Sequence, residues 1–530
     1  MSAWRRRIER EPDTCPALPL RPGSWSNGES LPPPRTPRDL ALERAMLDLA
    51  DRAARRIGMD RRRFLQTAGG VAAALTVYNL AGCSGGYNGA DPGSPSSSSP
   101  SSSGTSSPSS TSTVPGGAYE VPPPEEVEAC AHALGDRGEF IFDVHTHHVM
   151  PEGPWRATAP RMEEMIRGLV PAGCREADRV RCLDRTAYFH DMFLASDTAV
   201  ALLSDVPNSG SDDAPLPWEA KRESRRLAEA LTGAGAPRVL LHDVIAPNFG
   251  SLIERLDGMA ATAATGDLTA FKVYTAWGPG GRGWALDDPA IGLPVVERAR
   301  ELGVRVLCAH KGLPLFGFDA ANNGPGDLVA VAARYPDMQF VVYHSAYERA
   351  TTEAPYDPGR AARGVNSLIK ALADHNIPPN ANVWAELGTT WREVLGSPTE
   401  AAHTIGKLLQ FVGEDRVLWG TDAIWLGSPQ PQIMAFRAFQ ISEQFQDRYG
   451  YPALTDTLKR KVFGLNAASL FRIDPMAPRC GIDEGGLAQA RAELASLAHE
   501  GAVPAIWQPR GPVSRREVIT WRRSAPARPW

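Results

Sequence analysis

Phe142-Asp143-Val144-His145-Thr146-His147-His148 sets two histidines two residues apart at the end of an apolar run. In an extended strand residues i and i+2 share a face, so His145 and His147 can both turn toward one cation. Alone, such a pair fits equally well a strand that carries two hydrogen-bonded histidines. Three further residues follow in order downstream: His310 closes the run from Val304 to Ala309, His344 closes Gln339 to Tyr343, and Asp422 closes Val417 to Thr421. Each ends a strand-like stretch.

Working outward from that segment gives eight predicted strands, at 139–146, 197–206, 238–246, 268–276, 304–310, 338–344, 382–388 and 416–422. Helical composition and apolar spacing fill the intervals, as from Ala220 to Leu231, Pro294 to Leu302 and Leu328 to Tyr335. Strands alternating with helices imply right-handed crossovers and a parallel sheet. Eight such units point to an α/β (β/α)8 TIM barrel, whose active sites lie at the C-terminal ends of the strands. The candidate ligands sit there. In the first strand Asp143, His145 and His147 share the expected inward parity, and in the fifth Val306, Cys308 and His310 do. Neutral imidazoles and a carboxylate suit a borderline divalent ion, zinc before others, with water in an open position.

The run Phe142 to His147 followed by Pro151, together with Asp415-Arg416-Val417-Leu418-Trp419-Gly420-Thr421-Asp422, resembles the first-strand and eighth-strand motifs of the amidohydrolase superfamily. Within it the likeness is to the amidohydrolase-related branch that includes aminocarboxymuconate semialdehyde decarboxylase relatives, over residues 138–475. The resemblance implies that His145, His147, His310 and Asp422 are metal ligands. It makes His344 either a ligand of a second metal or a substrate-polarising imidazole. Lys272 ends the fourth strand, where binuclear members carry a carboxylated lysine between two ions. The plainer reading pairs Lys272 with a carboxylate such as Asp422 or Glu386 and leaves one metal. His148 has the opposite parity to His147 and is expected to point out of the barrel or cap a loop. His190 and His242 read as core or loop histidines.

Upstream, Asp60-Arg61-Arg62-Arg63-Phe64-Leu65-Gln66 precedes a short Ala/Gly-rich apolar stretch that ends in Leu80-Ala81-Gly82-Cys83. This resembles a twin-arginine export signal joined to a lipobox, with lipid on Cys83 after cleavage. The stretch falls short of the about 20 apolar residues of a bilayer span. The alternative is a basic turn before a buried helix. Residues 1–58 form an unusually long extension before the signal at 59–83, with Met46 or Met59 as other candidate starts. Residues 84–117, dominated by Ser, Pro, Gly and Thr, read as a tether. The barrel takes 118–475, and 476–530 adds a helical run from Leu487 to His499 and an Arg/Pro/Trp-rich tail from Trp507.

The chain of 530 residues carries a formal net charge of -5, which gives no electrostatic case for nucleic acid. Of its seven cysteines, Cys308 is expected to fill the barrel, and Cys174 and Cys182 are near enough in sequence to pair in an oxidising envelope. The expected partners are a small-molecule substrate and, through the lipid anchor, a membrane.

Metal-activated water attacking an amide, ester or lactone carbonyl is the first reading of this ligand set. Asp422 would serve as general base and then general acid. His344 would donate to the developing oxyanion. Non-oxidative decarboxylation by nearly the same ligands is the alternative within the branch, and a non-catalytic envelope protein that binds a small ligand is a third reading. Strand-end loops carry Trp277, Arg282, Trp391 and Trp425, which suggest aromatic walls and a cation able to hold a substrate carboxylate.

Overall fold

The computed structural model describes residues 18–23, 34–83, 115–169, 176–210, 212–232, 237–314, 318–425 and 427–477, with a few helical positions between 489 and 496. Eight parallel strands follow one another round a single sheet: β1 (Phe142–His147), β2 (Val200–Ser204), β3 (Val239–Ile245), β4 (Leu268–Val273), β5 (Val306–His310), β6 (Gln339–Tyr343), β7 (Val383–Glu386) and β8 (Val417–Leu418). The sheet closes on itself. Val144 N–H donates to the Trp419 carbonyl, Asp422 N–H donates to the His145 carbonyl, and Thr146 pairs in parallel with Ala423. The protein is a TIM barrel, as the alternation of strands and helices predicts.

Seven strands fall inside their expected intervals and β1 overruns its interval by one residue, to His147; most are short runs rich in Val, Leu, Ile, Ala or Phe and largely buried on both faces. The expected helices form over Trp218–Thr232, Gly292–Glu301 and Gly326–Arg334, each starting two residues earlier than expected and the last two ending one residue sooner. The barrel interior is filled from below by Phe142, Val144, Leu202, Leu240, Cys308 and Trp384, so Cys308 sits where its parity puts it.

Parity in β1 departs from expectation. Phe142 and Val144 belong to the interior cluster, and the register against β2 slips by one residue between Asp143 and Thr146. The bulge turns His145 inward as well. Asp143 instead faces β8, where it accepts hydrogen bonds from the Thr421 N–H and hydroxyl.

The N-terminal segment is ordered against the barrel. Helix α1 (Pro37–Arg56) starts at a Thr36–Asp39 capping box, Asp60 caps the short α2 (Arg61–Phe64), and α3 (Ala68–Cys83) carries the apolar stretch. Arg61, Arg62 and Arg63 are exposed, whereas Phe64, Leu65, Val71, Leu75 and Tyr78 are buried. Asn79 exchanges two 2.8 Å hydrogen bonds with the backbone of Tyr119. Protein, rather than solvent or lipid, thus covers the stretch that the sequence presents as a detachable leader. Among the described residues no helix is long and apolar enough to cross a membrane. Of the expected tether over 84–117, residues 84–114 lie outside the described residues, whereas Gly117 pairs with Ile441 in a short antiparallel ladder; the C-terminal tail from Trp507 and most of the expected helix from Leu487 to His499 also lie outside them. Cys182 is disulfide-bonded, and Cys174 also lies outside the described residues.

Candidate metal centre

The strand ends bring together the residues that the sequence singles out. His145 and His147 end β1 with their rings 5.1 Å apart, and Asp422 follows β8 in a left-handed conformation, φ 61°. His145 Nε2 lies 3.5 Å and His147 Nε2 3.4 Å from Asp422 Oδ1. All three residues are buried. The other nitrogen of each ring is engaged: His147 Nδ1 is 3.1 Å from the Ser204 carbonyl, which can only accept, so that nitrogen carries the proton and Nε2 is left with a lone pair. Among the described residues that buried Nε2 has no hydrogen-bond partner.

His310 and His344 repeat the arrangement. His310 Nε2 lies 3.1 Å from the Leu313 carbonyl and His344 Nδ1 lies 2.7 Å from the Gly388 carbonyl, so both nitrogens donate. The remaining nitrogens, His310 Nδ1 and His344 Nε2, face each other at 3.1 Å. Burial holds His145 and His310 well below the usual imidazole range, lowers His147, and brings His344 down to about 4. Neutral rings therefore turn bare lone pairs inward beside a carboxylate, a donor set that fits a divalent cation. Among the described residues two groups are compact enough to hold one, His145–His147–Asp422 and His145–His344–Glu386. His310 belongs to neither and joins the site through His344.

Lys272, on β4, extends into the same space. Its Nζ lies 3.0 Å from His145 Nε2 and over the rings of Tyr343 and Tyr274, at 4.5 and 5.0 Å. The structure thus brings Lys272 against His145, beside the carboxylates Asp422 and Glu386 that the sequence offered as its partners.

The support around these groups is hydrogen-bonded throughout. Thr389 Oγ1 donates to Asp422 Oδ2 at 2.8 Å, and Thr390 Oγ1 to the His344 carbonyl at 2.8 Å. His344, Ser345 and Ala346 all have positive φ, so β6 ends in a tight turn that swings the imidazole into the mouth. Sequence reading missed most of this support. Glu386 carried one legible signal, an acidic residue closing the apolar run Val383-Trp384-Ala385.

The expected substrate residues divide. Trp425 stacks on His147, rings 5.5 Å apart, and lines the site. Trp277 packs on Phe249 and Arg282 is exposed, both on the loop after β4. Trp391 is a correction: it is fully buried against Phe436 and Phe439, its indole N–H donates to the Gln432 carbonyl, and it walls the core rather than a pocket. Its neighbour Arg392 reaches the Arg21 carbonyl of the N-terminal segment at 2.9 Å. Sequence reading could not see this because those partners are remote in the chain. His148 does turn outward, to Ser224 Oγ on Trp218–Thr232 at 2.9 Å. His242 sits in the interior 3.3 Å from the Tyr343 hydroxyl, and His190 pairs with Asp191.

A family model described as amidohydrolase matches residues 142–473. No curated protein matches the chain. Among solved structures, an uncharacterised TIM-barrel protein from Bordetella bronchiseptica is similar at 15% identity and a TM-score of 0.41, covering 63% of this chain and 98% of that one. A 2,6-dihydroxybenzoate decarboxylase from Rhizobium is similar at 14% identity and a TM-score of 0.39, covering 63% of this chain and 99% of that one. An amidohydrolase from Mycobacterium avium subsp. paratuberculosis K-10 is similar at 15% identity and a TM-score of 0.33, covering 63% of this chain and 100% of that one.

Proposed function

The chain belongs to the amidohydrolase family, and from that premise we propose that it is a metal-dependent hydrolase acting on an amide, ester or lactone of a small molecule. One observation carries the reading: His145 Nε2, His147 Nε2 and Asp422 Oδ1 converge, buried, where the first and last barrel strands end. A divalent ion held by these residues, zinc by the softness of its ligands, would supply Lewis acidity to a carbonyl and lower the pKa of a water.

The chain's own groups divide the remaining work. Asp422 would face the ion through Oδ1, and Oδ2, which accepts from the Thr389 hydroxyl, keeps a second lone pair able to take a proton from the attacking water and return it to the leaving group. His344, its Nδ1–H fixed on the Gly388 carbonyl, presents Nε2 toward the reacting centre. To donate to the developing oxyanion it would first take up a proton from solvent, an uptake that burial opposes and the arriving negative charge favours. The stacked Trp425 and the rings of Tyr274 and Phe318 around His310 keep the surroundings apolar and strengthen these interactions.

The same reading carries the export route as a proposal, with Arg61 and Arg62 addressing the twin-arginine transporter and lipid on Cys83. The exposed arginines and the disulfide at Cys182 support it. The buried α3 adds a requirement, since cleavage before Cys83 first needs that helix to leave its place among Tyr119, α1 and the barrel helices.

A screen of esters, lactones, amides and aromatic carboxylates with tag-free protein tests the activity. A new acid group without carbon dioxide is expected. Carbon dioxide release would overturn hydrolysis in favour of decarboxylation.

A further inference from the structure

We infer that Glu386 is the positioning carboxylate of this centre, fixing the ring of His145 and selecting Nε2 as the nitrogen offered to the ion; the inference rests on the metal reading above. Glu386 ends β7 with its side chain fully buried. Its Oε2 lies 3.3 Å from His145 Nδ1 and accepts the His344 N–H at 3.0 Å, while Oε1 accepts the Gly388 N–H. One carboxylate therefore ties together the ends of the first, sixth and seventh strands.

The niche for it is built from the backbone. A Cβ at either Gly388 or Gly420 would overlap Glu386 Oε1, so the end of its own strand and the end of the neighbouring β8 both present glycine where the carboxylate must fit. Gly420 lies two residues before Asp422, and the same approach also brings that backbone against His145 Cβ. Space, two N–H donors and an imidazole all converge on one side chain.

The consequence for His145 is electronic as well as geometric. An Nδ1 facing a carboxylate carries the ring proton, which leaves the lone pair on Nε2. Nε2 is the atom aimed at Asp422 Oδ1 and Lys272 Nζ. Burial raises the Glu386 carboxyl to about 8, so its charge is fully present only at higher pH or with a cation beside it; there it also raises the basicity of the ring as a ligand, as carboxylate–histidine pairs behind metal ions do. Because Glu386 already spends its oxygens on backbone N–H groups, it acts through His145 rather than as a ligand itself.

The test measures cobalt(II) affinity of the full chain by competition with a chelator, with the visible cobalt spectrum and the thermal midpoint of the metal-free protein alongside. In Glu386→Gln the charge is lost, the amide oxygen accepts only one of the two backbone N–H groups, and one tautomer of His145 is no longer enforced. Cobalt affinity is expected to fall by about 10- to 100-fold, while the spectrum keeps the band intensities of an unchanged ligand number and the metal-free midpoint falls by less than the affinity loss, one backbone N–H being left unmet. Gly420→Ala should weaken affinity in the same direction by displacing the carboxylate with no change of charge. A Glu386→Gln chain that binds cobalt as tightly as wild type would remove the inference, as would band changes showing that a directly bound oxygen has been lost. A metal-free midpoint falling in step with affinity would assign Glu386 a merely structural role. A wild-type chain that binds no cobalt would remove the metal reading itself, which distinguishes the two failures.

Discussion

His310 Nδ1 and His344 Nε2 face each other at 3.1 Å, while the far nitrogen of each ring donates to a main-chain carbonyl. Two neutral imidazoles so held oppose lone pair to lone pair, an arrangement that needs a proton or a cation to complete it. Burial disfavours the proton, since it lowers both rings. The pair is thus poised beside the His145–His147–Asp422 group to serve charge that arrives with substrate or metal.

For His344 the expected outcome of substitution is loss of rate with retention of metal. His344→Asn keeps the ion on His145, His147 and Asp422 but loses the donor to the developing oxyanion. Turnover should fall by about 10² to 10³-fold, the scale for one such donor. Metal content falling in proportion to rate would instead make His344 a ligand.

Asp422 is expected to separate binding from proton transfer. Asp422→Asn keeps an oxygen for the Thr389 hydroxyl and the side-chain volume, but cannot take a proton. Metal should be partly retained while turnover drops by about 10² to 10⁴-fold, the usual range for a general acid–base group. Normal turnover in this variant would contradict the proton shuttle.

The N-terminal segment gives a prediction about processing. The envelope form is expected to begin at a lipidated Cys83, and Cys83→Ser should yield exported protein without lipid. Arg61→Lys with Arg62→Lys should leave folded enzyme in the cytoplasm, because lysine does not reproduce guanidinium geometry. In that retained form α3 is still packed, so Leu75→Ala should cost about 2–5 kcal/mol, as for a buried leucine elsewhere. Mass spectrometry of the envelope form decides the route: a mass that keeps α1 to α3 contradicts cleavage.

A pH effect far from the metal centre follows from His403. The ring is buried with Nδ1 3.0 Å from the Tyr451 hydroxyl, and burial, reinforced by Lys407 and Arg448, brings it down to about 3. The folded state therefore binds this proton less readily than the unfolded chain, whose histidine titrates near 6.5. Its contribution is fully present above about pH 6.5. It is lost as pH falls toward 3, with a slope of up to about 1.4 kcal/mol per pH unit. His403→Gln should flatten the acid limb of the stability profile by about one proton. An unchanged slope in chemical denaturation would contradict the assignment.

The barrel was legible because its signal is local: each strand is a short apolar run, and each of His147, His310, His344 and Asp422 lies at or just past the end of one. Parity was legible only where the pleat is regular. It held in β5, where Cys308 fills the interior below His310, and broke in β1, where a bulge turns Asp143 to Thr421. Trp391 looked like a wall of the mouth because a tryptophan after a barrel strand gives no hint of which side it packs on. The carbonyls that set the histidine tautomers, at Ser204, Leu313 and Gly388, have no sequence signature. Helix α3 reads as a leader from composition, whereas its burial depends on surfaces contributed by Tyr119 and the barrel helices.

The central claim is that His145 and His147 hold a catalytic ion at the mouth of a barrel whose packing does not depend on them. Elemental analysis of tag-free protein, for wild type and for His145→Ala and His147→Ala, tests it most directly, with circular dichroism as the check on folding. The account predicts about one divalent ion per wild-type chain, zinc before others, and loss of both metal and activity in folded variants. Full metal occupancy and activity in both variants, or active wild-type protein that contains no metal, would contradict it.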